Sequence, residues 1–298
     1  GDECESVACR YADNPVLWRQ VRNRAVPFQE FLKKGVKPSA GGVRWGKSEI
    51  SYPSRIRVSA ALCRLLGYYV GEGCVAGNPP CIQLSFGRHE KYLIEDVVRC
   101  VRRVFKSDAK VYFSRSEALI RFGGPLLAHV LSKVLGAGGT AAQKSVPFVV
   151  YNIPKRFKLE FLKGYYRGDG IVRLSSQKVE LTAPTVSRKL ASDLVLLLSQ
   201  LGVWCSVERI RNAVRDGVRR KEVYRVTVRH QEGLSKLYSI CADLRPDLAK
   251  QHLRRAVRKS PVWRSLPSRM IFSARDMIRK RWDKGDRRWL ETFLQHGL

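Results

Sequence analysis

The sequence lacks long hydrophobic runs and is short of acidic residues. No apolar segment approaches the ~20 residues of a membrane-spanning helix, and residues 1–10 lack the apolar core of a signal peptide. These absences argue against a membrane protein and predict an intracellular one, in the cytoplasm or nucleoid, or in an organelle of a eukaryote. The 26 Asp and Glu residues are outnumbered by 56 Lys and Arg residues, which gives a formal net charge of +30. Such a surplus attracts polyanions and favours nucleic acid as the partner.

The cysteines and histidines lack the spacing of a zinc site. The eight cysteines include no C-x-x-C pair, and the five histidines form no ligand pattern. Four cysteines lie in apolar segments and are predicted to be core residues: Cys63, Cys100, Cys205 and Cys241. The other four cysteines form two close pairs, Cys4 with Cys9 and Cys74 with Cys81. A disulfide between Cys4 and Cys9 would be unusual inside a cell.

Two nine-residue segments of the chain match each other. Residues 65–73 read LLGYYVGEG and residues 162–170 read LKGYYRGDG, 97 positions later. The first Leu, both Tyr and all three Gly positions are identical, and Glu72 corresponds to Asp169. A match of this kind predicts a duplicated structural unit.

Each repeated segment ends a predicted apolar helix that contains a pair of glycines. Gly67 and Gly71 lie four residues apart, as do Gly164 and Gly168, so each pair lies on one helix face. A glycine inside a helix costs roughly 1 kcal/mol relative to alanine. Close contact between the two helix backbones would offset this cost, as it does for small residues in membrane helix pairs.

The two acidic residues of the repeat are predicted to lie at helix C-termini. Glu72 and Asp169 are each followed by a helix-terminating glycine, Gly73 or Gly170. The negative end of the helix dipole disfavours a carboxylate there, and paired helices would also bring two like charges together. A divalent cation justifies the arrangement, because Mg²⁺ is held by one or two carboxylates together with water and phosphate oxygens. A duplicated acid–glycine turn without a metal is the alternative.

The pattern G-Y-Y-x-G-[DE]-G after an apolar helix resembles the LAGLIDADG motif. Two copies at this spacing resemble the single-chain, two-motif LAGLIDADG homing endonucleases, over residues 56–255. The resemblance implies an α+β fold of two pseudo-symmetric units, each with the order αββαββα. The motif helices would pair at the centre, and two antiparallel sheets would form a DNA-binding saddle. The predicted domains are an N-terminal extension (1–55), a first unit (56–153), a second unit (154–255) and a basic, helical C-terminal extension (256–298).

The resemblance also implies an activity and a cofactor. The expected protein is a monomeric endodeoxyribonuclease that cuts both strands of a long, asymmetric double-stranded DNA site. Its metal-binding residues would be Glu72 and Asp169, with Gly71 and Gly168 beside them. Mg²⁺ is the implied cofactor; Mn²⁺ is expected to substitute for it, and Ca²⁺ is expected to bind without supporting cleavage.

Weaker matches to the family supply further catalytic candidates. By their position after each unit's sheet, Lys144 and Lys250 are the implied lysines of the two units. Gln83 is the implied polar strand residue of the first unit, and Thr182 is its counterpart in the second.

Alternating strands provide the predicted DNA-reading surface. Apolar and polar side chains alternate in residues 81–86 and 223–230, so each sheet has one apolar face and one face rich in Arg, Thr and Gln. These side chains contact guanine, thymine and adenine in the major groove. The predicted DNA-binding residues are Gln83, Ser85, Arg121, Thr182, Arg225, Thr227 and Arg229.

Two other functions remain open at this stage. Some intron-encoded relatives of the family act as RNA maturases, so intron RNA is a second candidate partner. Other proteins resemble a degenerate LAGLIDADG domain followed by a helix-turn-helix and regulate transcription without catalysis, and a basic C-terminal segment would suit that role. The two intact acidic residues favour the nuclease.

Overall fold

A computed structural model describes residues 42–43, 51–53, 55–175, 178–210, 214–215, 218–219 and 222–248. Cys4, Cys9, Lys250, the C-terminal extension and most of the N-terminal extension lie outside these residues. Among the residues described, no helix combines the length and apolar character needed to cross a bilayer.

The first unit begins with the helix that carries the first motif. A short antiparallel pair, β1 (Gly42–Val43) with β2 (Tyr52–Pro53), precedes it. The elements that follow are α1 (Ala60–Glu72), β3 (Gly73–Ala76), β4 (Cys81–Gly87), α2 (Lys91–Phe105), β5 (Lys110–Phe113), β6 (Glu117–Phe122) and α3 (Pro125–His129). Helix α3 continues as a π-helical turn, Val130–Val134, and 3₁₀ turns follow at Ala141–Gln143 and Phe148–Asn152.

The second unit repeats this order from the second motif helix onward. Its elements are α4 (Lys155–Asp169), β7 (Ile171–Ser175), β8 (Lys178–Thr185), α5 (Arg188–Gln200), β9 (Ser206–Ile210), β10 (Val214–Arg215), β11 (Val218–Arg219), β12 (Val223–Val228), α6 (Gln231–Lys236), α7 (Tyr238–Leu244) and α8 (Pro246–Leu248). Strands β10 and β11 pair with each other on either side of the Asp216–Gly217 sequence.

Each unit contributes one four-stranded antiparallel sheet. The strand orders are β3-β4-β6-β5 and β7-β8-β12-β9, so the two sheets have equivalent topology. In β4, Ile82, Leu84 and Phe86 are buried while the intervening residues are partly exposed, which is the predicted alternation. The α+β fold of two pseudo-symmetric units with two antiparallel sheets is confirmed.

The apolar faces of both sheets pack on helices in one continuous core. Helix α2 buries an apolar stripe that includes Ile94, Val97 and Val101, and α5 buries Leu190, Leu194 and Leu197. The Ser187 side chain caps α5 by accepting a hydrogen bond from the Leu190 amide at 3.1 Å, which satisfies one of the free donors of the first turn. The largest fully buried side chains are the motif tyrosines: Tyr68, Tyr69, Tyr165 and Tyr166.

Candidate active site

The two motif helices touch backbone to backbone through their glycines. A Cβ atom built on Gly67 would lie 2.1 Å from the carbonyl oxygen of Phe161, and one on Gly164 would lie 2.1 Å from that of Arg64. Neither position can hold a side chain without moving a helix. The predicted glycine interface is therefore confirmed.

The glycines that end the motif helices serve a different purpose from the one their position predicted. Gly73 and Gly170 have φ angles of −93° and −85°, so neither adopts the left-handed conformation of a typical glycine cap. Cβ atoms at these positions would lie 2.7 Å from the Tyr69 carbonyl oxygen and 2.2 Å from that of Tyr166. Glycine is required here because the chain turns tightly against the last helical turn and enters a strand at once.

Pairing of the motif helices brings Glu72 and Asp169 together at one end of the interface. A Cβ on Gly168 would lie 2.8 Å from the Cγ atom of Glu72, so the Glu72 side chain crosses the opposite helix one residue before Asp169. Burial, with a smaller contribution from the nearby Glu72 charge, raises the pKa of Asp169 to about 7 against the opposing effect of Lys144. Burial also raises the pKa of Glu72. The two carboxylates are desolvated and repel each other.

Lys144 is the third charged group at this position. Its side chain is only 3% exposed, donates a hydrogen bond from Nζ to the carbonyl oxygen of Tyr69, and lies 3.8 Å from the centroid of the Tyr69 ring. Burial lowers its pKa to about 7, against the opposing effect of Cys74, Asp169 and Glu72. The structure thus brings Lys144 into electrostatic contact with both acids, whereas the second predicted lysine, Lys250, lies outside the described residues.

The acidic pair fits a divalent cation. A cation between the carboxylates would remove the repulsion and would favour the ionised form of Asp169, whose pKa is now raised. Within the described part of the chain, no group of three or more His, Cys, Asp or Glu side chains is placed to hold a metal ion. Two carboxylates with main-chain oxygens, water and substrate phosphate are a donor set that suits Mg²⁺.

The strand candidates Gln83 and Thr182 occupy equivalent positions in the two sheets. Gln83 pairs with Cys74, two residues after Glu72, and Thr182 pairs with Ile171, two residues after Asp169. Gln83 is partly exposed and accepts a hydrogen bond from Arg121 Nε at 2.8 Å. Of the other first-sheet residues predicted to bind DNA, Arg121 is exposed and Ser85 is partly exposed.

The prediction of direct DNA contact is wrong for two threonines of the second sheet. Thr182 and Thr227 are each 2% exposed, and their Oγ1 atoms lie 3.3 Å apart across paired strands. Their hydroxyl groups satisfy each other, so neither presents a surface to a base. The accessible residues of this face include the predicted Arg225 and Arg229.

The arginines of the second sheet are paired with carboxylates that the sequence reading missed. Arg225 Nη1 donates to Glu208 at 3.1 Å, and Arg229 Nε donates to Glu180 at 2.6 Å. Arg173 Nε also donates to Glu180, at 3.1 Å. The period-two alternation of β8 would have identified Glu180, because it lies on the same face as Thr182.

A second group missed by the sequence reading is the buried charge network around Arg167. Its Nε and Nη2 atoms donate to Asp243 at 2.6 and 2.8 Å, and Nη1 donates to the Tyr68 hydroxyl at 2.7 Å and to Asp96 at 2.9 Å. Arg167 replaces Val70 of the first motif. This replacement of an apolar residue by arginine was the available signal.

Comparison with known proteins identifies a family and several relatives. Residues 156–241 match the model of a LAGLIDADG-like domain. An uncharacterised protein of Methanocaldococcus jannaschii is 34% identical over 197 residues, which are 63% of this chain and 22% of that protein. The DNA polymerase II large subunit of Thermococcus kodakarensis is 31% identical over 65% of this chain and 10% of its own length. The ATP-dependent DNA helicase Hel308 of the same organism is 31% identical over 61% of this chain and 17% of its own.

The chain therefore spans less than a quarter of the length of each of these relatives. Among solved structures, I-DmoI in complex with DNA and Mn is similar at 16% identity and a TM-score of 0.44, over 62% of this chain and 98% of that one. Full-length DUF199/WhiA from Thermatoga maritima is similar at 12% identity and a TM-score of 0.43, over 74% and 67%. Residues 156–241 thus match a LAGLIDADG-like domain, and the paired helix of the first unit carries a second copy of the motif found in that domain.

Proposed function

We propose that the chain is a site-specific homing endonuclease that hydrolyses one phosphodiester bond in each strand of a long DNA duplex, with divalent metal ions. The observation that carries this proposal is the meeting of Glu72 and Asp169 at the end of the glycine interface. Stability alone disfavours two desolvated like charges at helix C-termini. A metal-binding role accounts for both acids, for their burial and for their duplication.

Glu72 and Asp169, with the main-chain carbonyls of Gly71 and Gly168, would hold the metal. Mg²⁺ is the proposed ion, with Mn²⁺ able to replace it and Ca²⁺ binding without cleavage. When bound, the ion lowers the pKa of water and neutralises charge that develops on the phosphate. Lys144 Nζ, whose pKa is lowered to about 7, exchanges a proton readily at neutral pH and is suited to proton transfer at the attacking or leaving oxygen.

The surface and charge of the protein support double-stranded DNA as the substrate. The net charge of +30 favours a polyanion, and the exposed faces of the two sheets carry arginines at a spacing set by the strands. Two pseudo-symmetric sheets would bind two halves of one long site, so a monomer suffices to cut both strands.

The relatives support a homing role in particular. A DNA polymerase subunit and a helicase differ in their overall activities, yet both contain a segment similar to this chain as a small part of their length. A genetic element that moves between genes is expected to occur in otherwise different proteins. Cleavage of DNA at a defined site is one way in which such an element moves.

The test is cleavage of a randomised duplex-DNA library by the full chain, with Mg²⁺ or with EDTA, followed by sequencing of the cut ends. We expect one long, partly palindromic site that is cut only with Mg²⁺. The Glu72→Gln and Asp169→Asn variants should lose cleavage of at least one strand while retaining binding. Full double-strand cleavage by either variant would refute the assignment of the acids.

The same experiment separates the alternative functions. Tight binding to a defined duplex without cleavage would indicate a transcription regulator. RNA binding that persists in the Glu72→Gln/Asp169→Asn double variant, without DNA cleavage by the wild-type chain, would indicate a maturase.

A further inference from the structure

Three charged side chains form a row across the exposed face of the second sheet. Arg173 on β7 is the register partner of Glu180 on β8. Val228, the last residue of β12, pairs with Leu181, so the next residue, Arg229, lies opposite Glu180 on the other side. The row Arg173–Glu180–Arg229 therefore runs perpendicular to three adjacent strands.

Glu180 accepts one hydrogen bond from each arginine, and in both the donor is the Nε atom. Arg173 Nε donates to Glu180 Oε2 at 3.1 Å, and Arg229 Nε donates to Oε1 at 2.6 Å. Arg229 Nη1 also reaches the Ser206 hydroxyl at 3.1 Å. Within the part of the chain that the structure describes, Arg173 makes no other hydrogen bond, so both of its Nη atoms remain available to a ligand.

The Glu180 carboxylate is buried, whereas the two guanidinium groups that it holds are partly exposed. The Glu180 side chain is 8% exposed, whereas those of Arg173 and Arg229 are 44% and 48% exposed. The hydrogen bonds from Arg229 and Arg173 lower the pKa of Glu180, so it stays ionised under the arginines. A buried carboxylate with both oxygens occupied fixes the two guanidinium groups in place before any ligand binds.

We propose that Arg173 and Arg229 are a preorganised pair that reads two guanines in the major groove, and that Glu180 is their positioning residue. This inference rests on the proposed DNA endonuclease function and names part of its specificity. A guanidinium donates two parallel hydrogen bonds to O6 and N7 of guanine, a pattern that no other base presents in the major groove. The two guanidinium groups bind different oxygens of Glu180, so each arginine addresses its own base.

Base reading explains this row better than phosphate binding does. Glu180 cancels one of the two positive charges, which weakens the attraction to phosphate but leaves the planar donor geometry intact. In a phosphate-binding pair the carboxylate would cost part of the charge attraction on which binding depends. A base-reading pair gains orientation, because ordering the side chains in advance reduces the entropy lost on binding.

The first sheet has no equivalent row, so the guanine pair should lie in only one half of the site. Arg121 is held by the neutral amide oxygen of Gln83 at 2.8 Å and lies 5.6 Å from the centroid of the Tyr112 ring. Neither neighbour reduces its charge or couples it to a second arginine. The two halves of the target should therefore differ, as an asymmetric recognition site requires.

The experiment compares base preferences of variants in the randomised-library cleavage assay, using the full chain. The wild type should select guanine at two positions of one half-site. Arg173→Lys keeps the charge but removes the planar donor pair, so it should reduce the preference at one position by roughly 5- to 150-fold. Glu180→Gln should relax both positions together and leave the other positions unchanged. Glu208→Gln, a matched change beside Arg225 on the same sheet, should leave both guanine positions as in the wild type.

The outcomes separate this inference from the proposed function. A wild-type chain that cuts or binds no specific DNA would overturn both. A specific nuclease whose guanine positions are unchanged in Arg173→Lys and Glu180→Gln would overturn the inference alone, as would a uniform loss of affinity at all sequences, which indicates phosphate contact. Thermal melting of each variant identifies a fold defect. If Glu180→Gln melts early, Arg173→Lys and Arg229→Lys decide the question, since neither removes the buried carboxylate.

Discussion

The pKa values of Asp169 and Lys144 are shifted in opposite directions, and both end at about 7. Burial and Glu72 raise the pKa of Asp169 from 3.8 to about 7, and burial lowers that of Lys144 from 10.5 to about 7. Perturbed pKa values of this kind cluster at functional sites. The metal-free site holds both groups where small changes in pH alter their charge.

These displacements predict a minimum in the stability of the metal-free protein near pH 7. From 3.8 to about 7 the folded state binds a proton at Asp169 more tightly than the unfolded chain, so the free energy of unfolding falls as the pH rises. Above about 7 the unfolded chain holds the proton of Lys144 more tightly, so the free energy of unfolding rises again. Near pH 9 the cysteines whose pKa values are raised by burial begin to oppose this rise. Chemical denaturation in EDTA across this range measures both limbs.

Two variants and a metal ion provide the controls for this pH profile. Asp169→Asn should reduce the falling limb to the part that Glu72 contributes, and Lys144→Met should remove the rising limb. Added Ca²⁺ should also flatten the falling limb, because it binds the ionised carboxylates and stabilises the folded state by mass action. A profile in EDTA that neither variant changes would contradict the assigned pKa displacements.

At the scale of single elements, the motif helices depend on two glycines more than on the other two. Gly67→Ala and Gly164→Ala each place a Cβ 2.1 Å from a carbonyl oxygen of the facing helix. The backbone cannot yield without separating the helices, so we expect a loss of about 3 kcal/mol or more. This corresponds to a fall in Tm of roughly 6 to 12 °C. Calorimetry or thermal melting measures it.

Graded substitutions test the glycine interface against a general effect of alanine. At Gly71 the added Cβ would lie 3.3 Å from the nearest atom, the carbonyl oxygen of Tyr165, so Gly71→Ala should cost less than Gly164→Ala. Gly124 has no atom within 4 Å of the added Cβ and an extended φ of −154°, so Gly124→Ala should leave Tm unchanged or slightly raised. Equal Tm values for all four variants would contradict the proposed contact between the helix backbones at the glycines.

The sequence predicted elements that have a periodic pattern of apolar residues. It missed strands that are defined by pairing with a neighbouring strand. Strand β4 was predicted within one residue at each end, since the alternation of apolar and polar side chains marks it. Strand β3 begins directly after Glu72, and β7 begins after the single residue Gly170 that follows Asp169. Both strands are defined by their pairing with β4 and β8. Sequence periodicity carries no information about such pairing.

The candidate site divides in the same way. Glu72 and Asp169 follow from the repeat, because a duplicated acid beside a glycine face has a local pattern. The burial of Thr182 and the buried pairing of Arg167 depend on which side chains arrive from other elements. A strand pattern reports the face on which a residue lies but not how much of that face stays exposed.

The network around Arg167 predicts a large difference between a buried and an exposed arginine. Arg167 is 11% exposed and joins α1, α2, α4 and α7 through Tyr68, Asp96 and Asp243. Arg167→Met leaves two buried carboxylates with less compensation, so unfolding should become easier by about 3 to 5 kcal/mol. Arg102→Met breaks an ion pair whose partners are 70% and 78% exposed, and should cost under about 1 kcal/mol. Equal losses in urea denaturation would show that the network contributes no more than a surface pair.

For the whole molecule, the net charge of +30 destabilises the folded state but favours DNA binding. Like charges destabilise the compact state through self-repulsion, and salt screens that repulsion. DNA binding releases counterions from the phosphates, and salt opposes that release. One charge distribution should therefore make the protein more stable and its complexes weaker as salt increases.

Both effects are measurable on one non-cleaving protein, the Glu72→Gln/Asp169→Asn double variant. Between about 50 and 200 mM KCl its affinity for the target duplex should fall by roughly 10³-fold or more, as expected for six or more neutralised phosphates. Over the same range Tm of the free protein should rise. The affinity for a random duplex should fall by a similar factor, because the phosphate contribution is independent of sequence. The ratio of the two affinities should therefore change little. An affinity insensitive to salt would remove the polyanion argument, and a Tm that falls with salt would mean that attractive ion pairs, such as those of Arg167 and Glu180, outweigh the repulsion of the whole chain.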